Sequence, residues 1–205
     1  MYEKREVQRE KLVKAACELA AENGIGALRT RDIAAKAGVC VGTLHYCFET
    51  KAELLRALYQ YVRAEFRASF DRHMPEEGSS IATLSAATRA RIHLLETQTP
   101  AFRTWRAFTR EAWTNETVRE IVKAHFAEQR ALLESILTKQ RQSGDIAGPA
   151  VASPRMAAAL LVSIYEGLAV QWTLDPGAFE LDEYARAIAA LYGAEREPTG
   201  AEQDR

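Results

Sequence analysis

The chain has 205 residues and a mass of 22.8 kDa, with 47% apolar and 27% charged side chains. That composition belongs to an ordinary globular protein of one or two domains and excludes disordered, collagen-like and disulfide-stapled chains. Its 27 basic and 28 acidic residues leave a net charge of −1, so no bulk field draws it to nucleic acid or to an anionic membrane. The balance is uneven: residues 1–67 hold 12 Lys and Arg against 9 Asp and Glu, or +3, and residues 68–205 hold 15 against 19, or −4. No run approaches the ~18 to 20 apolar residues of a membrane span. The charged start, residues 1–6, leads into no signal-peptide core. Three cysteines, all within the first 47 residues, form no disulfide framework. A cytoplasmic protein without membrane contact is expected.

Helical periodicity runs almost end to end. Leu12, Ala16, Leu19 and Ala20 form a stripe that stops at Asn23-Gly24. A short helix over about 30–37 ends at Gly38, and another over about 41–48 follows a tight turn. Thr50-Lys51-Ala52-Glu53 reads as a capping box opening a helix with Leu54, Leu58, Val62, Phe66 and Phe70 on one face, to about His73. Residues 74–80 break it. The next helix carries Ile81, Leu84, Ile92 and Leu95. Thr99-Pro100 is a cap followed by proline at the first helical position, starting a segment with Phe102, Trp105, Phe108 and Trp113. A long helix over about 115–143 carries Val118, Val122, His125, Leu132, Leu133, Ile136 and Leu137. After a loop at 144–152, Ser153-Pro154 opens a strongly apolar helix to Leu174, and Asp175-Pro176-Gly177 ends it. A last helix spans about 182–192, with a disordered tail beyond it. The expected fold is all-α, with nine or so helices.

One segment carries a specific message. Two short helices joined by a glycine turn are the helix-turn-helix arrangement, in which the first helix braces the second so that its N-terminal residues enter a major groove. Ile33, Ala34 and Ala37 supply the packing face, Gly38 the turn, and Val39 and Leu44 the plug; Leu44 and Phe48 are assigned to core. From spacing alone, a helical hairpin that binds nothing fits as well.

The residues themselves go further. Leu28-Arg29-Thr30-Arg31-Asp32-Ile33-Ala34, Ala37-Gly38-Val39-Cys40-Val41-Gly42-Thr43-Leu44-His45-Tyr46-Cys47-Phe48 and Lys51-Ala52-Glu53-Leu54-Leu55 together resemble the N-terminal domain of the tetracycline-repressor (TetR) family. The second half resembles that family's betaine-regulator-type C-terminal domain through Trp105-Arg106-Ala107-Phe108, Ala157-Ala158-Ala159-Leu160-Leu161, Gly167-Leu168-Ala169-Val170-Gln171-Trp172 and Leu174-Asp175-Pro176-Gly177-Ala178-Phe179. Cys40 stands where the family has Ser, His45 at a usual Tyr, and Cys47 at a frequent His or Tyr.

The resemblance implies a transcriptional repressor released from a palindromic operator by a small-molecule effector. It divides the chain into a DNA-binding head (1–48), a connecting helix (49–74), an effector-binding and dimerisation domain (75–193) and a tail (194–205). Arg31 would reach a base edge, most naturally guanine O6/N7; Val41 and Gly42 would face bases, and His45 a base or phosphate. Thr30, Thr43, Tyr46 and Lys51 would bind phosphates, the threonines and Lys51 close to helix N-termini that favour anions. The head, residues 1–48, carries eight basic and six acidic residues, only +2, so affinity must come from placed contacts used twice in a homodimer. The implied dimer seam includes Leu160, Leu161, Ile164, Leu168 and Trp172.

An effector pocket is expected among Phe66, Trp105, Phe108, Trp113, Phe126 and Tyr165, with His125 and Glu166 as polar anchors, although aromatic residues at helical spacing form core more often than a ligand cage. Cys40 at a helix start leaves a redox-sensing regulator as an alternative. A helical enzyme or interaction module is the alternative of a different class. Cys40, His45 and Cys47 are too crowded to share a zinc, no Gly-rich phosphate loop or His-Glu-x-x-His occurs, and no cofactor is implied.

Overall fold

The computed structural model describes residues 2–74, 80–142 and 153–192. The tail and the 144–152 loop expected from the sequence lie outside these residues, as does most of the 74–80 break. The described residues form nine α-helices: α1 (Tyr2–Asn23), α2 (Thr30–Lys36), α3 (Val41–Cys47), α4 (Lys51–His73), α5 (Ser80–Thr97), α6 (Pro100–Glu111), α7 (Glu116–Gln142), α8 (Pro154–Leu174) and α9 (Leu181–Leu191). No strand occurs among them. The fold is all-α.

The caps explain several boundaries. Thr99 accepts the Phe102 amide at 3.2 Å and Ser153 the Met156 amide at 3.2 Å, each with proline at the next position, where its missing N–H costs nothing. Asn115 caps α7 by accepting the Val118 amide at 3.2 Å. At α4 the Thr50 hydroxyl accepts the Glu53 amide at 3.1 Å, and Glu53 reaches back one residue further than a simple capping box, to the Glu49 amide at 3.0 Å. Gly24 (φ +85°) and Gly38 (φ +68°) occupy the left-handed region that side chains disfavour, which is why α1 and α2 end where they do.

The chain forms two compact units. The first comprises residues 1–69 and 97–125. Its core joins Leu12, Ala16 and Ala20 of α1 to Ile25, Ile33, Leu44, Phe48, Leu54, Leu58 and Val62, and to Phe102, Trp105 and Phe108 of α6. Helix α1 packs on α2 and α3 and also on α6, so Val13, Ala15 and Cys17 are buried besides the expected stripe. Thr104 fastens α6 to α1 by donating its hydroxyl to the Cys17 carbonyl at 2.8 Å. Leu19 and Phe66 are only half-buried.

The second unit comprises residues 70–96 and 126–205. Its core gathers Leu84, Leu133, Ile136, Leu137, Ala158, Leu161, Val162, Tyr165, Ile188 and Tyr192. The Tyr192 hydroxyl donates to the Ala157 carbonyl at 3.0 Å, and Gln140 donates to the Tyr192 carbonyl at 3.1 Å. Leu132, read from the sequence as part of the α7 stripe, is instead 50% exposed.

Helix α8 corrects the expectation that no run is long enough for a membrane: its 21 residues meet the length and hydropathy of a span. Its composition has a different physical source in this fold. One side, with Ala158 and Leu161 fully buried, lies in the second unit's core, and Glu166 on the same helix is ion-paired.

Candidate DNA interface

The turn between α2 and α3 is closed by backbone bonds: the Gly38 amide donates to Ala35 O at 3.1 Å and the Val39 amide to Ala34 O at 2.9 Å. Ile33 and Ala34 of α2, and Leu44 and Cys47 of α3, face the core. Lys36 ties α2 to α1 through Glu18 at 3.0 Å, a contact that raises the Lys36 pKa. With its inner face anchored, α3 turns Gly42, His45 and Tyr46 outward, Tyr46 being 60% exposed. Val41, Thr43 and Thr30 are half-buried, and Arg31 and Lys51 are exposed. Lys51 extends its ammonium to within 3.4 Å of the Leu28 carbonyl, donating to it. The eight residues assigned to DNA by resemblance therefore all lie on α2, α3 and the first turn of α4, each with solvent access.

The three cysteines differ. Cys40 is exposed and makes no cap of its own; its sulfur lies 3.3 Å from the Thr43 hydroxyl, which lowers the thiol pKa. Cys17 and Cys47 are buried, and burial pushes both thiols up.

The expected effector residues divide. Phe66, Trp105, Phe108 and His125 belong to the first unit, where Tyr59 joins them. The Tyr59 hydroxyl stands 3.1 Å from His125 Nδ1, the Trp105 and His125 rings are 4.0 Å apart, and Tyr59 meets Phe108 edge-on at 6.4 Å. Phe66 meets Trp105 edge-on at 6.5 Å. Trp113 stands apart from this group, 84% exposed beyond the end of α6. Phe126, Tyr165 and Glu166 belong to the second unit. Phe126 packs on its apolar core. The Tyr165 hydroxyl shares a 2.7 Å hydrogen bond with Thr88, and burial pushes its pKa up to about 12. Glu166 pairs with Arg91 at 2.8 Å, and the same guanidinium nitrogen donates to Gln129 at 3.3 Å.

The residues read as a dimer seam divide as well. Leu161 and Leu168 are fully buried within the chain, so they cannot also face a partner. Leu160 is 46% exposed, and Ile164 and Trp172 are half-buried. Met156, Val170 and Leu174 are exposed on α8 with Leu160.

Residues 12–58 match the family described as bacterial regulatory proteins of the tetR family, and residues 80–194 match the C-terminal domain of BetI-type transcriptional repressors. The chain belongs to the TetR family. It is a DNA-binding transcriptional regulator, and the redox-sensing, enzyme and interaction-module alternatives are not favoured. Among curated relatives, the HTH-type transcriptional regulator BetI of Burkholderia thailandensis is 25% identical over 86% of this chain and 87% of its own. The fatty acid metabolism regulator protein of Bacillus subtilis is 22% identical over 88% and 91%. The structure of a SmeT–triclosan complex superposes with a TM-score of 0.74 at 21% identity, covering 97% of this chain and 99% of that one.

Within this TetR-family head, sequence reasoning missed the residues that hold the recognition helix from behind. Arg9 of α1 donates to the Cys47 carbonyl and, at 2.9 Å, to Glu53, and its guanidinium stacks 4.4 Å from the Phe48 ring. The Glu53 carboxyl is held below the usual range by Arg9 first and by the Glu49 amide second. Arg5, one turn earlier, lies over the Tyr46 ring at 5.4 Å. Arg91 and Tyr59 were missed likewise. Spacing on one helix signals none of these, because each partner is distant in sequence; the i, i+4 repetition of Arg5 and Arg9 was the one available hint.

Proposed function

We propose that the protein is a cytoplasmic homodimeric repressor that binds a palindromic operator and leaves it when a small molecule binds, with no catalysis of its own. The reading is carried by the recognition helix: Leu44, Cys47 and Phe48 are locked inward while Gly42, His45 and Tyr46 face solvent. Residues 1–48 serve as the head, 49–74 as the connection and 75–193 as the sensing and dimerising part. Arg31 reads a base, Val41 and Gly42 lie against base edges, His45 meets a base or a phosphate, and Thr30, Thr43, Tyr46 and Lys51 hold phosphates. Exposed Met156, Leu160, Val170 and Leu174, with half-buried Ile164, support a seam along α8. A two-fold dimer presents two heads to half-sites ~34–36 Å apart, so an effector that favours a different head separation weakens binding. The aromatic group around Trp105, and the complex of similarly folded SmeT with triclosan, support a flat or apolar effector. A mobility-shift assay on the protein's own upstream DNA should give one palindromic footprint; absence of DNA binding at low salt would defeat the proposal.

A further inference from the structure

Arg5 and Arg9 are four residues apart on α1, so both side chains fall on one face of that helix. Both reach the end of α3, but their charges meet different fates. Arg9 is neutralised locally: it pairs with Glu53, donates to the Cys47 carbonyl and covers Phe48. Arg5 makes no ion pair among the described residues; its guanidinium is held 5.4 Å from the centre of the Tyr46 ring. That ring is 60% exposed, on the same helix as the outward-facing Gly42 and His45. A guanidinium kept in place by an aromatic face, with no ion pair within contact distance among the described residues, is preorganised for a phosphate, which it can engage with two parallel hydrogen bonds. The head carries only +2 over residues 1–48, so a cation without a direct ion pair at this surface is a large fraction of its attraction for DNA.

We infer that Arg5, stacked on Tyr46, is a phosphate contact, and that the N-terminal turn of α1 is therefore part of the DNA interface beyond the helix-turn-helix itself. The inference rests on the DNA-binding reading above. Tyr46 then has two roles: its hydroxyl donates to the backbone of the duplex, and its ring holds the cation that binds beside it. In a dimer Arg5 acts twice.

A merely structural Arg5, one that only steadies Tyr46, would also lower affinity when removed. Salt dependence separates the two roles. Each phosphate contact contributes about 0.9 to the slope of log affinity against log salt, whereas a packing contact contributes none. The measurement is fluorescence anisotropy of the full-length protein with a random-sequence duplex and with a duplex of its own upstream DNA, between 50 and 200 mM KCl. Thermal melts of Arg5→Gln and Arg5→Lys establish that both variants remain folded. Arg5→Gln should lower the slope by about 1.8 per dimer on both duplexes, so that it loses about 12-fold less affinity over this salt range than the unmodified protein does. Arg5→Lys, which keeps the charge, should keep the slope. An unmodified slope in Arg5→Gln, whatever its affinity at one salt concentration, overturns the phosphate contact and leaves the regulator intact. Failure of the unmodified protein to bind either duplex at 50 mM KCl would instead refute the DNA-binding reading, and this inference with it.

Discussion

Replacing Arg9 by Met keeps an apolar stem against Phe48 and removes the guanidinium alone, and three interactions go with it. The bond to the Cys47 carbonyl satisfies one of the α3 C-terminal carbonyls that lack a helical donor, and is worth about 1–1.5 kcal/mol. The Glu53 pair, with side chains 24% and 36% exposed, contributes at most about 1 kcal/mol after solvent screening. Stacking on Phe48 adds about 0.5–1 kcal/mol. Contacts sharing one group do not sum, so the expected destabilisation is about 2 kcal/mol. Urea unfolding would read it as a lower midpoint at constant m-value. Because this cation is spent inside the protein, Arg9→Met should weaken DNA binding through a loosened α3 and leave the salt slope unchanged. A stability loss below about 0.5 kcal/mol would mean the contacts hold nothing, and a reduced slope would mean Arg9 faces phosphate; either refutes the reasoning.

Arg31→Ala should cost about 1–3 kcal/mol of discrimination at one base-pair position in each half-site, measured by competition with point-substituted operators; undiminished discrimination would remove Arg31 from base reading. On α8, Leu160→Glu should dissociate the dimer in light scattering and leave a folded monomer. Leu168→Ala should leave the dimer assembled and cost about 2–5 kcal/mol in unfolding, because Leu168 is fully buried within the chain; the opposite pattern would mean the two faces are misassigned. Glu53 makes the head acid-sensitive. Its folded pKa lies below the unfolded value of about 4.3. Its stabilisation is therefore complete above that value and fades as pH falls through the folded pKa. The melting-temperature gap between the unmodified protein and Glu53→Gln should close below about pH 4, and a gap constant from pH 7 to 3 would oppose this assignment.

The helix-turn-helix was readable because its determinants are local. Gly38 must be glycine for a turn at φ +68°, Ile33 and Leu44 mark the inward face by spacing, and Thr99-Pro100, Ser153-Pro154 and Thr50-x-x-Glu53 announce helix starts through bonds spanning three residues. The α3 residues that the resemblance assigned to DNA include Gly42, His45 and Tyr46, which are exposed in the structure. The effector set was not readable in this way. Aromatic residues at helical spacing share a face, but which unit they join depends on packing: Trp105 and His125 sit together at 4.0 Å, Phe126 belongs to the other unit, and Trp113 is in solvent.

By itself, then, the amino-acid order determined the helices, their caps, the all-α class and the family, because periodicity and capping are short-range and the DNA-reading motif lies within about twenty residues. Tertiary structure decided which faces are spent. It buried both sides of α1 by placing α6 against it, and it buried Leu161 and Leu168 while leaving Leu160 exposed. It also joined Arg9 to Glu53 across 44 residues and Arg91 to Glu166 across 75. The physical reason is that a side chain's charge and burial are properties of its neighbours in space, and helical periodicity encodes only the neighbours on its own helix.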